Sequence, residues 1–105
     1  MSNVIVYKNR TNILAVNLGI DVSGDTITSQ IREAANSTSP LIASWVVSFK
    51  TNGIDGKLIL TLDNSITATI IPKKGYMDMK RISGGEPLPV FDAPIQVIFK
   101  DTVTT

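Results

Sequence analysis

The feature that most constrains this chain is a two-residue alternation of apolar and polar side chains, carried by short segments with turn residues between them. Successive side chains of a β-strand point to opposite faces, so such alternation marks strands with one face buried. Leu41, Ala43, Trp45, Val47 and Phe49 form the strongest face, opposed by Ile42, Ser44, Val46, Ser48 and Lys50. Leu14, Val16, Leu18 and Ile20 alternate with Ala15, Asn17 and Gly19, and Ile27, Ser29 and Ile31 with Thr26, Thr28, Gln30 and Arg32. Leu58, Leu60 and Leu62 alternate with Lys57, Ile59 and Thr61, and Ile95, Val97 and Phe99 with Gln96, Ile98 and Lys100. A short opening strand around Val4 and Val6 and a strand over Tyr76–Ile82 complete the set.

Turn chemistry separates these segments. Asp21–Asp25 combines Asp, Ser and Gly, Asn52-Gly53 and Asp55-Gly56 are strong turn dipeptides, and Ser83–Glu86 reads as a hairpin turn. Pro40 bounds a polar loop that starts at Glu33, within which Glu33–Asn36 has the makings of one helical turn, and Pro87 and Pro89 mark an edge. Asp63–Ile70 is the one further helix candidate, a single turn capped by Asp63 or Asn64, with an extended segment as its competitor because β-branched residues dominate. About seven short strands at regular spacing predict an antiparallel β-sandwich, with a small closed barrel as the architectural alternative.

The chain has 105 residues, enough for one domain. Residues 1–8 form a candidate strand-exchange arm and 101–105 a polar, flexible tail. There is no cysteine and no histidine, which removes disulfides, thiolate zinc sites, the commonest metal ligand and the commonest general base. No cofactor or metal is expected, and catalysis is not expected either. A net charge of +1 argues against electrostatic nucleic-acid binding. No apolar run is long enough to span a bilayer, and Met1–Lys8 lacks the pattern of a signal peptide, so no membrane partner is expected.

The order of these elements resembles a known family. The Gly-containing turn before Thr26–Arg32, then Pro40-Leu41, the Asp-Gly turn into a leucine-alternating strand, the Thr-rich capped turn, Gly75–Asp78, and a last strand closed by Asp101–Thr104 carry the likeness. Together they resemble small immunoglobulin-like structural domains of tailed bacteriophages. Such domains occur as standalone virion proteins and at the N-terminus of siphophage upper baseplate proteins. The resemblance covers roughly Ile13–Thr104. It implies an immunoglobulin-like β-sandwich and a structural role in tail, baseplate, fibre or neck, or as a capsid decoration protein. It also implies localisation to the virion after synthesis in the host cytoplasm, with other virion proteins or further copies of the chain as partners. The inter-sheet cysteine pair of antibody domains is absent.

Four groups of residues invite a site. Asp21, Ser23 and Asp25 have calcium-loop spacing, but Thr26 replaces the required Gly and Arg32 the bidentate Glu, so an Asx-type turn is expected. Lys73, Lys74, Lys80 and Arg81 concentrate positive charge around Tyr76 and are expected to guard strand edges. Asp55, Asp63, Asp78 and Glu86 lie at or near turns, with no spacing that pairs them, and Ser65, Thr67 and Thr69 have no histidine to activate them. Asn9-Arg10-Thr11 and Asn36-Ser37-Thr38 match the glycosylation acceptor pattern and are read as polar loops. Finally, several strands are apolar on both faces, which points to a neighbour. Ile42, Val46, Tyr76 and Ile98 are the candidate interface, while Met77 and Met79 are the commoner kind of methionine, in the core. The competing function is a small carbohydrate- or ligand-binding β-sandwich used in host recognition, whose exposed aromatics would be Tyr7, Tyr76 and Phe91.

Overall fold

A computed structural model of the protein describes residues 3–90 and 94–102. Its elements are β1 (Val4–Tyr7), β2 (Asn12–Asn17), β3 (Thr26–Arg32), β4 (Leu41–Phe49), β5 (Lys57–Leu62), α1 (Asn64–Thr67), β6 (Lys74–Ser83), β7 (Glu86–Pro89) and β8 (Ile95–Lys100). The strands form one sheet in the order β1-β8-β6-β3-β4-β5-β2, with β7 pairing only with β6. This sheet of eight strands curls until it is nearly closed into a barrel. The all-β expectation holds, and the described residues form eight strands in place of about seven. One pair departs from the antiparallel expectation, since β1 runs parallel to β8 with Val6 beside Phe99.

Alternation places most of the core as the sequence predicts. Leu41, assigned to the inward face of its strand, is instead 50% exposed, because it lies beyond the register shift that sets it against Arg32. Rows of inward side chains cross the sheet: Ala43–Ile31–Met77 on one side and Val47–Leu60–Leu14 on the other. Large residues alternate with small ones where strands crowd, so buried Ser29 sits between Trp45 and Met79, and Gly75 faces Val97. The Ser29 hydroxyl donates to the Asp78 carbonyl at 2.7 Å, which settles the one polar group in that row. Trp45 is buried, and its indole N–H has no acceptor among the described residues. It stands where β4 changes partners: Leu41–Trp45 pair with β3 and Val46–Phe49 with β5.

The ends of the sheet meet at a seam stitched by one side chain. β1 and β2 are joined by a short turn, and Asn12 bridges their backbones instead of a ladder. Its Nδ2 donates to the carbonyls of Tyr7 and Arg10 at 2.9 and 3.0 Å, and its Oδ1 accepts the Tyr7 N–H at 2.9 Å. The helix clamps the same turn: the buried Thr67 hydroxyl donates to the Arg10 carbonyl at 2.6 Å and accepts the Arg10 N–H at 3.1 Å. Asp63 is the N-cap of α1, accepting the N–H of Ser65. At the other end, Gly56 has φ +75°, and a Cβ there would lie 2.8 Å from the Ile20 nitrogen. Only glycine fits that approach of two loops. Gly84 and Gly85, both at positive φ, make the expected two-residue hairpin between β6 and β7.

Several expectations change. Glu33–Asn36 forms a run of bends, not a helical turn, because Ser39 and Asn36 hold the loop through their own hydrogen bonds. Ile20 leaves the β2 alternation, which ends at Asn17, and is largely exposed. Val22, inside the predicted turn, is fully buried. Within the candidate exchange arm, Val4–Tyr7 pair with β8 of the same chain, and Met1 and Ser2 lie outside the described residues. In the predicted flexible tail, Thr102 donates to the Lys8 carbonyl at 3.1 Å and Asp101 lies 3.5 Å from the Lys8 ammonium, while 103–105 lie outside the described residues.

Candidate functional site

The outer surface of the sheet holds two regions of different chemistry. The first lies over β3 and β6. There Arg32, at the end of β3, donates from Nη1 to the Ser39 carbonyl at 2.8 Å and from Nη2 to Gln30 Oε1 at 2.9 Å. These bonds, with Glu33 N–H to the Pro40 carbonyl at 3.0 Å, fold the Glu33–Pro40 loop back over the strands. Between loop and sheet lies a concavity of about 240 Å³, lined chiefly by Gln30, Arg32, Asn36, Tyr76, Asp78 and Lys80. Ladder register brings them together, since Arg32 faces Tyr76, Gln30 faces Asp78 and Thr28 faces Lys80.

The second region lies over β4, β5 and β2. Val46, Thr61 and Ile13 form one outward row, and Ser48, Ile59 and Ala15 the next. Val46 and Ile13 are each 68% exposed. Isolated exposed aliphatics are ordinary on protein surfaces, whereas adjacent ones on one sheet face form a patch suited to a neighbour.

The four candidate interface residues therefore separate. Val46 belongs to the apolar region. Tyr76 and Ile98 lie on the outer face of neighbouring strands, half-buried, with Tyr76 opposite Gln96 and Ile98 between Lys74 and the exposed Ile5. Ile42 leaves the set. A register shift sets Arg32 against Leu41 and Ile31 against Ala43, which makes Ile42 the extra residue of the strand and packs it against the core near Gly75. Strict alternation had put it outside.

The other motifs resolve locally. The Asp21 carboxylate accepts the N–H and hydroxyl of Ser23 at 3.0 and 2.7 Å, and these bonds hold its carboxyl below the usual aspartate range. Asp63 is lowered for the same reason by the hydroxyl and N–H of Ser65. Asp25 instead pairs with Arg81 at 3.3 Å, which takes Arg81 out of the basic concentration. Lys80 faces the concavity. Asp55 caps the N–H of Lys57, and Asn36 accepts from the N–H and hydroxyl of Thr38. Thr67 clamps the Arg10 turn through its hydroxyl. Among the aromatics, Tyr7 is exposed and Phe91 lies outside the described residues.

Among the described residues, no helix is long and apolar enough to cross a membrane, and no three acidic side chains group around a metal-sized point. No protein-family model matches this sequence, and no curated protein matches it.

Proposed function

We propose that this chain is a non-enzymatic structural protein of a phage virion, an assembly or adaptor module of tail, baseplate, fibre or neck, or a capsid decoration protein. The single observation that carries this reading is the outward row Val46–Thr61–Ile13, which sets two largely exposed aliphatic side chains on either side of a threonine across three strands of a small domain. The motif order described above supplies the phage context. The finer architecture that goes with it is an immunoglobulin-like sandwich. Its support is the division of β4, whose first half pairs with β3 and second half with β5, setting a larger strand group against a smaller one. The partners in this reading are other virion proteins or further copies of the chain, and the location is the virion. Nucleic acid and membrane play no part in it.

Light scattering of the purified protein across a concentration series tests this reading, together with binding to purified virions and tail proteins. A discrete symmetric oligomer or saturable virion binding is expected, and Val46→Glu with Ile13→Glu should abolish it while leaving the fold intact. A monomer that binds neither virions nor tail proteins would overturn the proposal.

A further inference from the structure

We propose that the concavity over β3 and β6 binds a single acidic sugar residue, of the uronic or sialic type, independently of any structural role of the chain. Its size is the first reason. At about 240 Å³ it falls below the range of pockets for drug-sized ligands, and it has room for one ring. Its chemistry is the second. A sugar ring presents an apolar C–H face and a rim of hydroxyls, and the site offers both complements. Half-buried Tyr76 contributes an aromatic surface with a polar tip, and Asp78 contributes a carboxylate acceptor. Gln30 and Asn36 contribute amide N–H donors, their oxygens already accepting from Arg32 and Thr38.

The third reason is charge. Among the described residues that line the site, two cations, Arg32 and Lys80, stand against one carboxylate, Asp78, a balance suited to an anion. Arg32 spends one bond on Ser39 and one on Gln30, and its planar fork has five donors, so it retains capacity for a carboxylate. Its two intramolecular bonds fix the guanidinium before a ligand arrives, which lowers the ordering cost of binding. No hydrogen bond or ion pair among the described residues engages the side chains of Tyr76, Asp78 or Lys80, which leaves them available to a ligand.

Nuclear magnetic resonance titration of the isotope-labelled full chain tests this directly. The probes are galacturonic acid, N-acetylneuraminic acid, galactose and sodium acetate. Saturable shifts at Gln30, Arg32, Tyr76 and Lys80 are expected with the acidic sugars, with galactose and acetate each weaker by roughly tenfold. Lys80→Met should weaken the acidic sugars alone by roughly tenfold, bringing them toward galactose. Tyr76→Ser should weaken both kinds of sugar and leave acetate unaffected. Equal binding of acetate would mean a simple carboxylate site, and equal binding of galactose would mean that the cations do not select. Either result, shifts that map elsewhere, or no saturable shift with any probe would overturn the proposal. Loss of binding in these variants counts only with an unchanged amide spectrum outside the site. The oligomer test above reads a different face, so one proposal can fail without the other.

Discussion

The inner and outer faces of the sheet follow different rules, and the contrast is sharpest between its two limbs. Inside, the limbs are equivalent: Ala43–Ile31–Met77 in one and Val47–Leu60–Leu14 in the other are rows of apolar side chains packed into one core. Outside, they diverge. Over β3 and β6 the row is Arg32, Gln30, Asp78, Lys80 and Tyr76 beneath a folded loop, and over β4, β5 and β2 it is Val46, Ile13, Ile59 and Ala15 with only the uncharged Thr61 and Ser48 among them. Folding requires only the inner pattern, since outward positions are usually near-neutral for stability. The divergence outside is therefore where recognition is to be sought.

The largest expected effect tests that division on adjacent residues of one strand. Trp45 is 5% exposed and Val46 is 68% exposed. Trp45→Ala should cost ~3–5 kcal/mol of unfolding free energy, the range for removing a buried aromatic. Val46→Ala should fall within ~0.5 kcal/mol. Urea denaturation measures both, with the midpoint moving and the slope unchanged. A Val46→Ala loss comparable to that of Trp45→Ala would break the comparison, because the outer apolar strip would then be part of the fold rather than a surface for a partner.

Alternation made the core legible from sequence: Trp45, Leu58, Leu60, Leu62, Val97 and Phe99 all point inward as their spacing predicts. Turn residues made the β6–β7 hairpin and the α1 cap legible as well. What the sequence did not disclose depends on contacts between distant segments. Ile42 points inward because the ladder between β3 and β4 slips by a residue, and register between strands is not written in the period of either one. Val22 is buried because its turn docks on Gly53, to whose carbonyl its N–H donates at 2.8 Å. The concavity was out of reach for the same reason, since it exists only once Arg32 and Tyr76 face each other across a ladder. The outward apolar character of Val46, by contrast, was visible at once.

A smaller effect concerns the seam, where the two limbs meet through Asn12 rather than through a ladder. Asn12→Ala removes three hydrogen bonds to the β1 strand and the following turn. Part of the exposed seam regains bonds to water, so the loss should be about 1–2 kcal/mol. Hydrogen exchange should report it unevenly. Amides of β1 should lose protection first, since β1 is paired on its ladder side only with β8. Uniform loss across β3 and β6 would mean that the seam holds the whole barrel, and that the limbs are not separable units.

The smallest effect is a dependence on acid, and it should fall on the apolar limb. Asp63 directly follows β5, and Asp21 lies in the loop after β2. Both carboxyls are held below the ordinary aspartate value of 3.8 by bonds from Ser65 and Ser23. A carboxyl lowered on folding binds its proton more readily in the unfolded chain. The stability it contributes is therefore fully present above 3.8 and is lost as pH falls through that value toward the folded one. Both groups are solvent-exposed, so the contribution is modest and salt-screened. Asp63→Asn and Asp21→Asn keep an oxygen acceptor for the turn and remove the titration. Thermal melts of the double variant should therefore show a flatter loss of Tm below pH 4 than the parent chain. Resonances of β2 and β5 should broaden in the parent before those of β3 and β6. Equal acid sensitivity in parent and variant would mean that these two capped turns do not set the acid dependence of the apolar limb.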